Sequence, residues 1–322
     1  MQKFLNLLLL TIILSSCQAQ ETFILIGQKK ISDLSEFPVY NWITKEVDGE
    51  KKLTKEYEYV EDIDISAISY RSDGLKISGL VVKPRKTGNY PCIIYNRGGN
   101  DIKGLTVFTA VMKMGKLASQ GYIVIASDYR GGKRNEGNDE FGGKDINDVL
   151  ILPEVLAEIE GADTTKIGMY GWSRGGMMTY LALSKMKNLK AAVTGGAIAD
   201  LTVIDRQEME DGVYSELIPN YWENKEAELK KRSAVHFVDK FPTNVPILLL
   251  HGNADWRVKS ENSLKLAMEF EKFRIPYKLV IFEGGDHGIR EHKAEVDQQV
   301  IDWFDKYLKG QASMPDMEPH GN

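Results

Sequence analysis

The chain has 322 residues, with 41 Lys and Arg against 46 Asp and Glu, for a net charge of −5. Hydrophobic residues at 43% and charged residues at 27% are the proportions of a globular protein, which excludes disordered, collagen-like and coiled-coil chains. A mildly acidic chain without a basic stripe argues against a nucleic-acid partner, and its length suffices to bury a core without disulfides or a metal.

Residues 1–16 read as a secretory signal and not as part of the fold. Lys3 supplies the positive start, and Phe4 to Leu14 is a short apolar run broken only by Asn6 and Thr11. As a helix that run rises roughly 16 Å, too little for a hydrocarbon core of about 30 Å. Its end, Leu14-Ser15-Ser16-Cys17, resembles the lipobox of bacterial lipoproteins. The resemblance implies cleavage before Cys17, lipidation of that cysteine, and a body held in water at the bacterial cell envelope, outside the cytoplasm. The other cysteine, Cys92, sits in an apolar run and reads as a small buried hydrophobe.

Residues 17–56 read as a tether followed by an irregular arm. Alternating residues Ile63, Ile65 and Ile68, then Leu75, Ile77, Leu80 and Val82, predict two strands joined at Arg71-Ser72-Asp73-Gly74, an antiparallel hairpin. Short apolar runs follow at 92–95, 122–127, 166–171, 190–194, 245–251 and 277–282. They are separated by helical patterns near 105–120, 144–160, 174–187, 260–274 and 291–309. Continuous apolar runs are what strands show when helices cover both faces of a parallel sheet. The expected domain is therefore α/β over 57–309, with a possible short cap at 197–244 and a flexible tail at 310–322.

Gly171-Trp172-Ser173-Arg174-Gly175-Gly176 is the strongest motif. Gly-x-Ser-x-Gly alone is weak. Here it lies between the strand pattern 166–170 and the helical pattern that Met177 opens, so Ser173 must occupy a sharp strand-to-helix turn, with glycines where the elements approach. Such a turn lifts the hydroxyl out of the sheet and aims the Arg174 backbone N–H at a developing oxyanion. Trp172 and Met177 are expected to line the substrate pocket.

A serine hydroxyl needs a base within hydrogen-bond reach. Of five histidines, His320 lies in the tail and His236 in a polar stretch. His292 starts the last helix and His251 ends a strand facing the core. His287, on the Gly-flanked loop after the final strand, is the expected base. Asp286 is too close in sequence to orient it, so Asp255, just past the preceding strand, is the expected acid.

Gly-Trp-Ser-x-Gly-Gly, His251-Gly-x-x-Asp255-x-x-Val258 and Asp286-His287-Gly288 together resemble the catalytic domain of prolyl oligopeptidase-like serine hydrolases. The resemblance covers about residues 57–309 and implies an α/β-hydrolase fold: a mostly parallel twisted sheet, an N-terminal antiparallel hairpin, and helices on both faces. It also implies a second oxyanion donor in Tyr95-Asn96-Arg97-Gly98-Gly99, from the Arg97–Gly98 turn. Arg97 stands where relatives tend to carry Tyr or His, so it offers either a backbone N–H or a guanidinium for a carboxylate. Family peptidases usually carry a large N-terminal propeller, for which fewer than 60 residues are present here. The expected function is acyl-enzyme hydrolysis of small peptides, without metal or cofactor. Ester hydrolysis on acylated glycans or small molecules, and an inactive envelope binding protein, remain as alternatives, and the oligomeric state stays open.

Overall fold

The structure, a computed structural model, describes residues 23–100, 104–310 and 312–321. The signal segment and Cys17 lie outside the described residues. Eleven strands occur among those described: β1 Leu25–Ile31, β2 Thr44–Val47, β3 Glu50–Leu53, β4 Ile63–Ser72, β5 Leu75–Pro84, β6 Tyr90–Asn96, β7 Ile123–Ser127, β8 Ala162–Trp172, β9 Leu189–Gly195, β10 Ile247–Gly252 and β11 Tyr277–Phe282. Nine form one sheet in the order β1-β4-β5-β7-β6-β8-β9-β10-β11, while β2 and β3 make a separate hairpin.

The sheet is antiparallel from β1 to β7 and parallel from β7 to β11. The predicted hairpin is β4–β5, with Ser72 opposite Leu75 and a two-residue turn. Asp73 and Gly74 in that turn both have positive φ, 50° and 79°. That conformation suits the twist of the flanking strands and is the one Asp-Gly favours.

The helices divide between the two faces. On one lie the helical segments 147–157 (α2), Arg174–Leu183 (α3) and Glu261–Phe273 (α5); on the other lie 107–119 (α1) and Lys293–Phe304 (α6). Helix α4, Tyr221–Arg232, belongs to the segment between β9 and β10. Burial on both faces explains the unbroken apolar runs: along β6, Cys92 and Ile94 enter one core while Ile93 and Tyr95 enter the other. Each such aliphatic side chain contributes on the order of 2 kcal/mol. Cys92 is fully buried, and burial pushes its thiol up to about 12, so it stays protonated packing material.

The arm expected to be irregular over 17–56 is in part ordered. Within it β1 pairs with β4 as the sheet's edge, and β2–β3 follows. β1 carries little apolar signal because its five central residues are exposed. It is held by backbone pairing and by Glu158, whose carboxylate accepts from the N–H groups of Ile24 at 2.8 Å and Leu25 at 3.0 Å.

Strand order positions the site. From β6 the chain passes to β7 on one side and then to β8 on the other, so the loops leaving β6 and β8 diverge and open a crevice at their carboxyl ends.

Candidate active site

Ser173 follows β8 and precedes α3, with φ 57° and ψ −124°. Positive φ in a residue with a Cβ is costly, and the packing around it supplies the compensation. The Ser173 N–H donates to the Gly195 carbonyl at 2.9 Å, and the Ser173 carbonyl accepts from Gly176 at 2.9 Å. The turn closes only because Gly175 lacks a side chain: a Cβ there would fall 2.0 Å from the Asn96 carbonyl oxygen. The loop after β6 abuts the same turn, since a Cβ on Gly98 would fall 3.3 Å from that of Ser173. Among the described residues, the backbone N–H groups of Arg174 and Gly98 have no hydrogen-bond partner.

His287 and Asp255 come from the loops after β11 and β10. The His287 Nδ1 donates to Asp255 Oδ2 at 2.7 Å. This assigns the proton to Nδ1 and leaves Nε2 as the nitrogen free of Asp255. The second oxygen, Oδ1, accepts from the N–H groups of Arg257 at 2.8 Å and Val258 at 3.0 Å. Burial pushes the Asp255 carboxyl up, but hydrogen bonds from His251, His287 and Val258 outweigh it and hold the group well below the usual carboxylate range. Asp255 is therefore an ionised acceptor at neutral pH.

His251 is fully buried, with its Nε2–H shared between the Val258 carbonyl at 2.8 Å and Asp255 Oδ2 at 3.4 Å, and Nδ1 accepting from Ser263 at 2.7 Å. Its bonds shape the turn that carries Asp255. His292 is engaged at 2.9 Å with the Glu283 carbonyl, outside the cleft.

Ser173 and His287 line one cleft of about 480 Å³. Its apolar wall includes Ile198, Leu201, Ile204, Met209 and Tyr214 from the 197–244 segment, together with Val258. Its acidic residues are already engaged. Asp205 pairs with Lys259 at 2.9 Å and Asp200 lies 3.6 Å from Lys265; outside the cleft wall, Glu208 pairs with Arg206 at 2.8 Å.

Three side chains differ in place from simple expectation. Met177 does not line the pocket. Every residue of α3 is buried, and Met177 points into the core beneath, where its Cε packs on Gly142. The Arg97 guanidinium is folded back into its own loop, with Nε 3.5 Å from the Asp128 carboxylate, and does not line the cleft. It bonds the Asp128 carbonyl at 3.0 Å and stacks 4.7 Å from the Tyr129 ring centre. The Arg174 guanidinium runs under the turn to Asp139 at 2.5 Å and Asp145 at 2.8 Å. Burial would raise Asp139, but the Arg174 charge more than offsets it and holds that carboxyl low. Trp172 does line the cleft, and its indole N–H donates to the His287 carbonyl at 2.8 Å.

A strained serine between strand and helix, with a carboxylate-held histidine across the cleft from a sheet of this order, defines an α/β-hydrolase of the serine type. The prolyl oligopeptidase family model matches residues 109–311, and the chain belongs to that family. It is 29% identical over 248 residues to the uncharacterized peptidase YtmA of Bacillus subtilis, covering 76% of this chain and 94% of that protein. To dipeptidyl-peptidase 5 of Porphyromonas gingivalis it is 25% identical over 260 residues, 74% of this chain and 37% of that protein. The acylaminoacyl peptidase of Pyrococcus horikoshii superposes with a TM-score of 0.65 at 22% identity, covering 84% of this chain and 47% of that one. The chain thus spans nearly all of the first relative and less than half of the other two.

Proposed function

We propose that this protein is a serine peptidase acting on small peptides through an acyl-enzyme. Ser173 attacks the scissile carbonyl, His287 takes its proton and returns it to the departing amine, and Asp255 fixes the His287 tautomer and stabilises the imidazolium. The backbone N–H groups of Arg174 and Gly98 receive the oxyanion, each contributing on the order of 3 kcal/mol to lowering the barrier. Water then repeats the sequence on the ester. The observation that carries this reading is the placement of a positive-φ Ser173 and an Asp255-bound His287 on one cleft. The cleft's apolar wall suits the acyl side of a peptide with an uncharged side chain.

The same residues hydrolyse activated esters, so the test is a matched panel. Ala- and Pro-nitroanilides are set against short-chain nitrophenyl esters, with Ser173→Ala as the blank. Serine-dependent anilide cleavage supports a peptidase. Ester turnover with no anilide cleavage moves the assignment to an esterase. A wild-type protein that a fluorophosphonate does not label would exclude acyl-enzyme chemistry, and with it the inactive binding protein would become the reading.

We also propose that the protein is held at a bacterial envelope membrane by lipid on Cys17, on the strength of Leu14-Ser15-Ser16-Cys17. Full-length protein made in a bacterial host is expected in the membrane fraction. Cys17→Ser should release it, and retention of that variant would refute the anchor.

A further inference from the structure

The catalytic cleft adjoins a smaller cavity of about 110 Å³, and the two share Trp172, Gly288 and Lys113. The smaller cavity lies between α1 and α6 and includes no residue of the 197–244 segment. It therefore extends from the site away from the apolar wall. Gly288 follows the proposed base, and a base that protonates the leaving group faces that group. The shared region is thus the leaving-group side.

Lys113 stands at this junction with an exposed side chain. It lies in the wide π-helical turn 110–115 of α1, a deformation that changes which side chains a helix presents to one face. It makes no ion pair or hydrogen bond among the described residues. Asp297, the carboxylate on the facing helix, is already bound by Lys116 at 3.0 Å and Lys293 at 3.2 Å. Other cations of the smaller cavity are likewise matched, Arg290 to Asp286 at 2.6 Å and Lys293 to Glu56 at 3.1 Å. On the acyl side, both cleft carboxylates have lysines beside them, so a substrate ammonium meets no unmatched acid there.

We infer that Lys113 binds the free carboxylate of the leaving fragment, so that the preferred substrates are short peptides cut one or two residues from their C-terminus. The inference rests on the peptidase reading for its substrate, but the carboxylate site itself does not depend on turnover. An α-carboxylate is the anion every short peptide carries on that side. An ammonium already paired gains less from an incoming anion than one that, like Lys113 among the described residues, has no partner. Lys113 is on this account a specificity-determining residue and takes no part in bond breaking.

The test compares N-acetyl-Phe-Ala with its C-terminal amide, two ligands that differ only in that charge. Binding is measured by calorimetry to the Ser173→Ala protein, with Lys113 intact, Lys113→Met or Lys113→Arg. The acid is expected to bind about 5- to 10-fold more tightly than the amide, the range of one partly exposed charge-assisted bond. That ratio should fall to about 1 in Lys113→Met and be retained in Lys113→Arg. In protein with Ser173 intact, kcat/KM should show the same ratio and the same loss. Equal affinity for acid and amide, binding of neither, or a preference that survives Lys113→Met would overturn the inference. If the acid binds in a Lys113-dependent way while only nitrophenyl esters are hydrolysed, the carboxylate site stands and the peptidase reading fails.

Discussion

The indole N–H of Trp172 donates to the backbone carbonyl of His287 at 2.8 Å. The residue just before the proposed nucleophile thereby holds the loop that carries the proposed base. Geometry between Ser173 and His287 is set by this bond as well as by Asp255, because two loops from different strands are tied at a single point. Trp172→Phe keeps a ring against Gly195 but removes the donor. It is expected to lower kcat/KM about 3- to 10-fold, the cost of one hydrogen bond in positioning. Labelling of Ser173 by a fluorophosphonate should slow by a similar factor. Unchanged labelling and turnover would show that the Asp255 contact alone fixes the loop.

Asp255 links chemistry to stability. Its carboxyl is held below the usual range in the native state, whereas an unfolded Asp titrates at about 3.9. The unfolded chain therefore binds a proton that the native chain refuses. The stabilisation is complete at pH values above the unfolded pKa and is lost as pH falls below about 4 toward the native value. Asp255→Asn should flatten the decline in Tm between pH 5 and pH 3 relative to wild type. At neutral pH the same variant should lose on the order of 10⁴ in kcat, since the amide favours the wrong His287 tautomer. A variant with the wild-type acid slope would place the responsible carboxylate elsewhere.

Where a residue's fate depended on its immediate neighbours, the sequence was legible. The runs 92–95 and 245–250 reveal strands buried on both faces because every position there is apolar. Glycines around Ser173 reveal the turn because only they permit its close approaches. Asp255 and His287 could be placed because they follow recognisable strands in a fixed order. Met177 was not legible: its position after the nucleophile suggested the pocket, but its direction depends on how α3 sits on the core. The partners of Arg174 and the folding back of Arg97 depend on loops 30 or so residues away in sequence, and nothing local encodes such contacts.

Arg174 shows how strongly those distant contacts act. Its guanidinium is almost wholly buried, forked between Asp139 and Asp145, and it lies 4.6 Å from the Phe141 ring centre. Arg174→Met would leave two carboxylates without their cation, Asp145 of them fully buried. Removing one partner of a buried pair costs about 3–5 kcal/mol, and urea denaturation should show a loss of that order. Arg174→Lys should recover only part of it, because a point charge cannot serve both acids as the planar fork does. Full stability in the Met variant would mean that the 139–145 loop rearranges to solvate its acids.

Glu158 carries the last prediction, at the far edge of the sheet. Both of its oxygens accept backbone N–H groups at the start of β1, from Ile24 and Leu25. β1 otherwise has an exposed centre and, among the described residues, no strand neighbour but β4; besides the ladder, Glu158 anchors its start while Gln28–Ser66 at 3.2 Å and Lys30–Asp64 at 2.9 Å tie its later part to β4. Hydrogen bonds to a charged group are worth about 1.5–3 kcal/mol. Glu158→Ala should therefore raise the exchange rate of the 24–31 amides by 10-fold or more while those of β6 and β8 stay protected. Activity toward soluble substrates should be unaffected, since β1 lies six strands from β9 and does not line the catalytic cleft. Exchange that rises across the whole sheet would instead make β1 part of the cooperative core, and truncation at its start would then unfold the domain.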